Sequence, residues 1–183
     1  MINYDYVSQA IKYYDTCGFK YIEAPWLINY EAVNATLPSN RYGIGTSSPY
    51  MESKYLPGSA EQSFIQMMID GSIKPGKYCA AGPCYRDERV DKLHSITFFK
   101  VELIIIGMND EKSLNTVLIH SRHFMEQLSD CDIDILKTND GFDLLLNGIE
   151  VGSYGIRSYK NHKWVYGTGL ALPRFDLAIK KYS

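Results

Sequence analysis

The chain has 183 residues, a formal net charge of -2, 22% charged and 45% hydrophobic residues. That balance suits one globular domain, and the lack of a basic run speaks against an electrostatic footprint for nucleic acid. The four cysteines Cys17, Cys79, Cys84 and Cys131 form no Cys-x-x-Cys pair and no zinc spacing, so free thiols in a reducing cytoplasm are expected. The start, Met1 to Asp5, shows no signal-peptide pattern, and no apolar run reaches membrane-spanning length.

Residues Asp5 to Cys17 are predicted helical: Val7, Ala10, Ile11 and Tyr14 recur at helical spacing, and Gly18 supplies a stop. Phe19 to Trp26 reads as a strand that ends at Pro25. Asn34 to Pro57, rich in Gly, Ser, Pro, Asn and Tyr, is expected to hold loops and short strands. Ser59 and Gln62 make a capping box that opens a helix to about Asp70, with Phe64, Ile65, Met67 and Met68 as apolar contacts. Glu61 falls in its first turn, where the helix dipole favours an acid. Lys74 to Lys77 is a turn, and Tyr78 to Ala81 a strand.

Gly82 to Glu88, a short polar loop, and His94 to Glu102 read as two antiparallel strands. The return strand, Phe98 to Ile106, is β-branched and aromatic, as a buried strand requires. Alternation puts Arg86 and Glu88 on one face of the first strand, and Phe98, Lys100 and Glu102 on one face of the second. A buried face does not ask for so many charges; a polyanionic ligand with an aromatic ring does.

Asn109 or Asp110 is expected to cap the next helix, whose buried stripe is Leu114, Val117, Leu118, Ser121, Phe124, Met125 and Leu128. His120 and His123 lie on it one turn apart, with no third metal ligand suggested nearby, and read as a solvated pair. Ile133 to Leu136 is a further strand. Asn147-Gly148 marks a hairpin that pairs Leu146 with Ile149 and Leu145 with Glu150. Asp143 and Glu150 then become diagonal neighbours within reach of a shared cation. Pro173 suits a first helical turn, which leaves Arg174 near the start of a helix to Lys181.

Tyr85-Arg86-Asp87-Glu88, then His94-x-x-x-Phe98-x-x-x-Glu102, resembles motif 2 of the class II aminoacyl-tRNA synthetases, with every spacing kept. Gly18-Phe19 followed by Pro25 resembles motif 1, the helix and strand that build the family's dimer interface. Ser59-Ala60-Glu61 is similar to the small-x-Glu loop whose acid grips the α-ammonium of the amino acid. Asp143 to Arg157 looks like a segment of the aspartyl and asparaginyl synthetases. Its Ser153 to Arg157 part is also similar to the ammonia-dependent asparagine synthetase. Gly167-x-Gly169 with Arg174 resembles motif 3, with Ala171 for a frequent glycine and Pro173 for the usual acid. The seryl enzymes also tolerate proline there.

The resemblance runs from about Gly18 to Lys181. It implies an α/β (α+β) fold, an antiparallel sheet of six to seven strands flanked by helices, in one catalytic domain that dimerises. It implies ATP-dependent adenylation of an amino acid, with Arg86 and Arg174 as the catalytic pair. Arg86 would hold the α-phosphate, Glu88 the adenine amino group and His94 the γ-phosphate. Phe98 and Arg174 would stack on the two faces of adenine, Gly169 would belong to the ATP site, and Asp143 and Glu150 would carry Mg²⁺. Glu61, Lys100, Glu102 and Arg157 would form the amino-acid site. Glu61 on the α-ammonium and Arg157 on a side-chain carboxylate or amide make aspartate or asparagine the expected substrate. No anticodon-binding domain is expected in this length, and only nine residues separate Arg157 from Gly167. The acceptor stays open among tRNA, ammonia, a carrier and a protein lysine. The competing reading is a non-catalytic paralogue that serves as a regulatory or accessory subunit; such proteins usually lose one of the two motif arginines, and both are kept here.

Overall fold

The computed structural model describes residues 2–37, 42–46 and 53–180. Its elements in chain order are α1 (Tyr4–Thr16), β1 (Lys20–Tyr21), α2 (Tyr30–Asn34), β2 (Ile44–Gly45), β3 (Tyr55–Leu56), α3 (Ala60–Ile69) and β4 (Gly76–Tyr85). Then come β5 (Thr97–Ile106), α4 (Glu111–Ser129), β6 (Asp134–Lys137), β7 (Phe142–Leu146), β8 (Ile149–Tyr159), β9 (His162–Leu172) and α5 (Arg174–Lys180). Seven strands make one sheet in the order β1-β4-β5-β9-β8-β7-β6, antiparallel throughout except where β1 lies parallel to β4. β2 and β3 form a separate pair. The expected antiparallel sheet flanked by helices is therefore the one found. No helix among the described residues is long and apolar enough to cross a membrane.

Alternation along the strands sorts side chains onto two faces. One face packs against α1, α4 and α5 through Val7, Tyr14, Val117, Met125, Phe175 and their neighbours. The other is covered in part by α2 and α3, where Val33, Phe64 and Ile65 meet Ala80, Ile104 and Trp164. Asn3 caps α1 with its Oδ1, which accepts from Asp5 N at 3.2 Å and Tyr6 N at 3.3 Å. Asp110 caps α4 in the same way, accepting from Ser113 N at 2.8 Å. The predicted stripe of α4 is buried from Leu114 to Met125, and Leu128 is half-buried.

Several local expectations are corrected. The strand predicted from Phe19 to Trp26 is reduced to Lys20–Tyr21. Ile22 N still reaches Cys79 O at 2.9 Å, but Pro25 has no N–H to give, and its carbonyl is taken by Ser63 Oγ at 2.6 Å. The Asn34 to Pro57 stretch is preceded by a short helix, α2, that the sequence reading did not anticipate. The parts of that stretch at 38–41 and 47–52 lie outside the described residues. Ser59 stands at the N-cap of α3, yet its side chain makes no capping bond. The reciprocal box fails because Gln62 Oε1 serves Gly58 N instead, at 2.7 Å, while its amide N–H groups go to Val33 O and Thr36 Oγ1. β4 ends at Tyr85, so Arg86 and Glu88 follow the strand rather than belong to it. Arg86 N still donates to Ile96 O at 2.9 Å, which keeps the two arms aligned. Pro173 precedes α5 instead of sitting in its first turn, and its carbonyl accepts from Leu177 N at 3.1 Å. Lys181 lies outside the described residues.

Candidate active site

The sheet opens where the site lies. β8 and β9 pair from Tyr159↔His162 as far as Tyr154↔Gly167. Beyond that point β8 pairs only with β7, and Ser153 N reaches Thr168 Oγ1 at 3.4 Å. β9 also carries a bulge: Val101 pairs with Leu170 and Glu102 with Thr168, so Gly169 is the extra residue. Two buried phenols hold the bulge from the opposite face. Tyr14 donates to Gly169 O at 2.8 Å, and Tyr154 to Thr168 O at 2.5 Å. A Cβ on Gly169 would lie 2.7 Å from the Tyr14 ring, so the close packing of that ring requires glycine.

A cavity of about 430 Å³ occupies the opened face, a size usual for small-molecule sites. Of the residues expected to hold a nucleotide, Arg86, Glu88, His94, Phe98, Glu150 and Arg174 line it. So do Glu61, Lys100, Glu102 and Arg157. Asp143 and Gly169 are not among the lining residues. A second cavity, of about 420 Å³, shares Ser59, Glu61, Arg86 and Arg157 with the first.

At the outer end, the Arg86 Nε donates to Gly58 O at 3.1 Å, and its guanidinium sits 5.0 Å from the Phe98 ring centroid. Arg174 lies 3.6 Å from Glu150. The loop between β4 and β5 is folded on Asp91, whose Oδ1 accepts from Leu93 N at 2.7 Å and His94 N at 2.8 Å. The His94 ring meets the same carboxylate at 2.8 Å. The Leu93 N–H, and then the His94 ring, hold the Asp91 carboxyl down to about 2.

The inner end carries two ion pairs. Lys100 Nζ meets Glu102 Oε1 at 2.5 Å, and Glu102 Oε2 accepts from Glu61 N at 3.2 Å. Arg157 Nη1 meets Glu61 Oε2 at 2.5 Å, and Trp164 Nε1 donates to Glu61 Oε1 at 2.7 Å. The Arg157 guanidinium stands 4.0 Å from the Tyr166 ring centroid. Burial pushes the Glu61 carboxyl up, while Arg157 and the indole N–H oppose that push. This geometry corrects one premise of the sequence reading. Glu61 and Arg157 were expected at opposite ends of the substrate, each with a free charge; here they are paired with one another.

The structure places the two carboxylates expected to share Mg²⁺ on adjoining strands, Asp143 on β7 and Glu150 on β8. The turn, with Asn147 at φ 53° and Gly148 at φ 72°, sets the expected pairs Leu146↔Ile149 and Leu145↔Glu150. A bulge at Leu144/Leu145 then places Asp143 opposite Ser153, and only Glu150 lines the cavity. No group of three metal-ligating side chains occurs among the described residues. That includes His120 and His123, the second of which meets Gln127 at 3.1 Å.

Sequence reasoning missed Ser153, Tyr166, Thr168 and Asp91. Ser153 was within reach, since it shares the face of Arg157 by simple alternation along β8. Trp164 gave no signal, because its partner Glu61 is 103 residues away.

A seven-stranded, mostly antiparallel sheet with helices on both faces and a charged cavity on its open part is the catalytic core of a class II aminoacyl-tRNA synthetase. Residues 44–177 match the family described as tRNA synthetases class II core domain (F), and the chain belongs to that family of ligases. Among solved structures it is similar to the pyrrolysyl-tRNA synthetase PylSc of Desulfitobacterium hafniense, with TM-score 0.74 and 15% identity, over 94% of this chain and 67% of that one. It is also similar to the cytoplasmic serine-tRNA ligase of Naegleria fowleri, solved in complex with AMP, with TM-score 0.73 and 16% identity, over 98% of this chain and 54% of that one. At such identities the likeness is one of fold. No curated protein sequence matches the chain. The match is to the synthetase core in general, and no grouping with the aspartyl and asparaginyl enzymes follows from it.

Proposed function

We propose that this chain activates an amino acid with ATP, forming an aminoacyl-adenylate and pyrophosphate, for transfer to tRNA or to another acceptor. The observation that carries the reading is that one cavity gathers the residues expected for both halves of the reaction. Arg86, Phe98 and Arg174 supply cations and a ring for a nucleotide, and Glu61, Lys100, Glu102 and Arg157 stand at the other end. The AMP bound to the N. fowleri ligase is a parallel for the nucleotide half.

In this reading the amino acid's carboxylate attacks the α-phosphorus, and the bond to pyrophosphate breaks. The protein positions the two reactants and stabilises charge, with no covalent step of its own. Arg86 faces the α-phosphate, where negative charge grows in the transition state. Phe98 takes one face of adenine, and Arg174, held by Glu150, takes the other. His94, fixed by Asp91, reaches the γ-phosphate. The buried carboxylates Glu61 and Glu102 are acceptors for the α-ammonium. ATP arrives with Mg²⁺, which would neutralise phosphate charge; Glu150 is the carboxylate in the cavity that could meet it, and nothing above depends on Asp143. An acidic or amide amino acid is the substrate this reading began from. It extends to a homodimer: Tyr4, Tyr21 and Trp26 are exposed around α1 and β1, and a second copy would cover them.

ATP–pyrophosphate exchange across a panel of amino acids, with Mg²⁺ present, tests the reading. Exchange with one amino acid sustains it; none with any amino acid favours an accessory subunit instead. At net charge -2, binding to bulk tRNA should be weak and salt-sensitive in a gel shift. Tight binding at physiological salt would point to a local patch such as Lys160, Lys163 and Lys180, to which Lys181, outside the described residues, would add.

A further inference from the structure

The inner end of the cavity holds an arginine whose charge is already balanced. A guanidinium has five N–H donors in a fixed fork. Among the described residues, the Arg157 side chain makes one hydrogen bond, to Glu61 Oε2 at 2.5 Å. It lines the cavity and is 38% accessible, so donors remain for a ligand. Glu61 is only 6% exposed. Its other oxygen takes the Trp164 N–H at 2.7 Å, so it cannot turn away without stranding a buried donor. Glu102, also buried, lies beside it and accepts the Glu61 backbone N–H at 3.2 Å. Its own charge is matched by Lys100.

A carboxylate brought to Arg157 would therefore become a third negative group beside two buried ones, with both neighbouring cations already paired. An amide carbonyl or a hydroxyl would take the spare N–H groups and add no charge. The same two carboxylates can accept from the α-ammonium, which brings its own counter-charge in the substrate's α-carboxylate and so leaves that balance unchanged, whereas a side-chain carboxylate does not. We propose that the amino-acid end of this cavity selects a substrate with a neutral hydrogen-bonding side chain, an amide or a hydroxyl, over one with a carboxylate, and that Glu61 sets that choice. The assignment rests on the adenylation reading. It narrows the acidic-or-amide expectation to the amide side and adds hydroxyl amino acids.

The test is ATP–pyrophosphate exchange on the wild type with asparagine, glutamine, serine, threonine, aspartate, glutamate, leucine and lysine, then on Glu61→Gln. One amide or hydroxyl amino acid should exceed aspartate and glutamate by about tenfold or more in kcat/KM. Glu61→Gln keeps the size and removes the balancing charge. Its amide oxygen can still take the Trp164 N–H while its NH₂ turns to Arg157, freeing that guanidinium, so the variant should move the ratio toward the carboxylate by on the order of tenfold. Aspartate, glutamate, leucine or lysine as the best wild-type substrate overturns the assignment and leaves adenylation standing. An unmoved ratio in a Glu61→Gln protein that still supports exchange overturns the role of Glu61. Should that variant fold poorly, the wild-type profile decides the substrate class by itself. If no amino acid supports exchange, thermal-shift titration of the wild type with the same amino acids and ATP decides. Selective stabilisation by an amide or hydroxyl amino acid sustains the assignment without catalysis, and no stabilisation by any of them overturns it together with the adenylation reading.

Discussion

Tyr14→Phe tests whether the bulge in β9 is held from behind. Tyr14 is fully buried, and its phenol donates to Gly169 O at 2.8 Å. Gly169 is the residue that the β5–β9 ladder skips, so the phenol is the partner its carbonyl has from α1. Phenylalanine keeps the ring, hence the packing against Phe19 and Phe124. What it removes is one donor to a buried carbonyl, a loss worth about 1–3 kcal/mol. For a domain of this size each kcal/mol shifts Tm by about 2–4 °C, so a fall of roughly 2–12 °C is expected. Thr168, one residue away, lines the cavity. Slackness in the bulge should therefore also raise KM in pyrophosphate exchange. Tyr154→Phe removes the neighbouring bond, to Thr168 O. Because the two carbonyls are adjacent, the double variant should depart from additivity. Calorimetric melts of the three variants are the assay. Melting within about 1 °C of wild type in both single variants would refute the idea that these phenols hold the bulge.

Arg86→Ala should lower exchange by on the order of 10²–10³ with the fold intact, since that side chain faces the cavity; unchanged exchange would remove motif 2 from the mechanism. Trp164→Phe deletes the donor to Glu61 Oε1, a hydrogen bond to a charged group worth about 1.5–3 kcal/mol. It should lower Tm and raise the KM for the amino acid more than that for ATP, which steady-state kinetics would show. Asp91 supplies a pH dependence. Its carboxyl is held at about 2, below the ordinary 3.8, so the folded loop is favoured while the group is ionised. That contribution is fully present above 3.8 and is lost as pH falls through about 2. Carbon-detected NMR titration of Asp91 should show the low midpoint, and a midpoint near 3.8 would mean that the loop is not folded on this residue.

Much of the frame was legible because it depends on local chemistry. Asp110 caps α4 because a short acid one residue before the helix can reach the Ser113 N–H. Asn147-Gly148 turns the hairpin because both residues adopt positive φ. The order Arg86, Glu88, Phe98, Glu102 survives as one cavity wall, since a hairpin preserves spacing. The failures share a cause as well. The capping box failed when Gly58 N competed for Gln62. Asp143 stands opposite Ser153, not Gly152, because of a bulge that the alternation rule cannot foresee.

The pairing of Glu61 with Arg157 is where local reading runs out, and it changes the chemical inference. Glu61 meets partners 41, 96 and 103 residues away. Each partner looks different in isolation. Arg157 alone is an open cation that asks for a carboxylate, and Trp164 alone is a core aromatic. Brought together by β8, β9 and the start of α3, they leave a guanidinium with spare donors and little spare charge. An arginine recognises an acid by charge and an amide by geometry, and only the second survives neutralisation by a neighbour. Under the proposed adenylation, the identity of the residue beside Arg157, more than that of Arg157 itself, would therefore govern which amino acid this end of the cavity can hold.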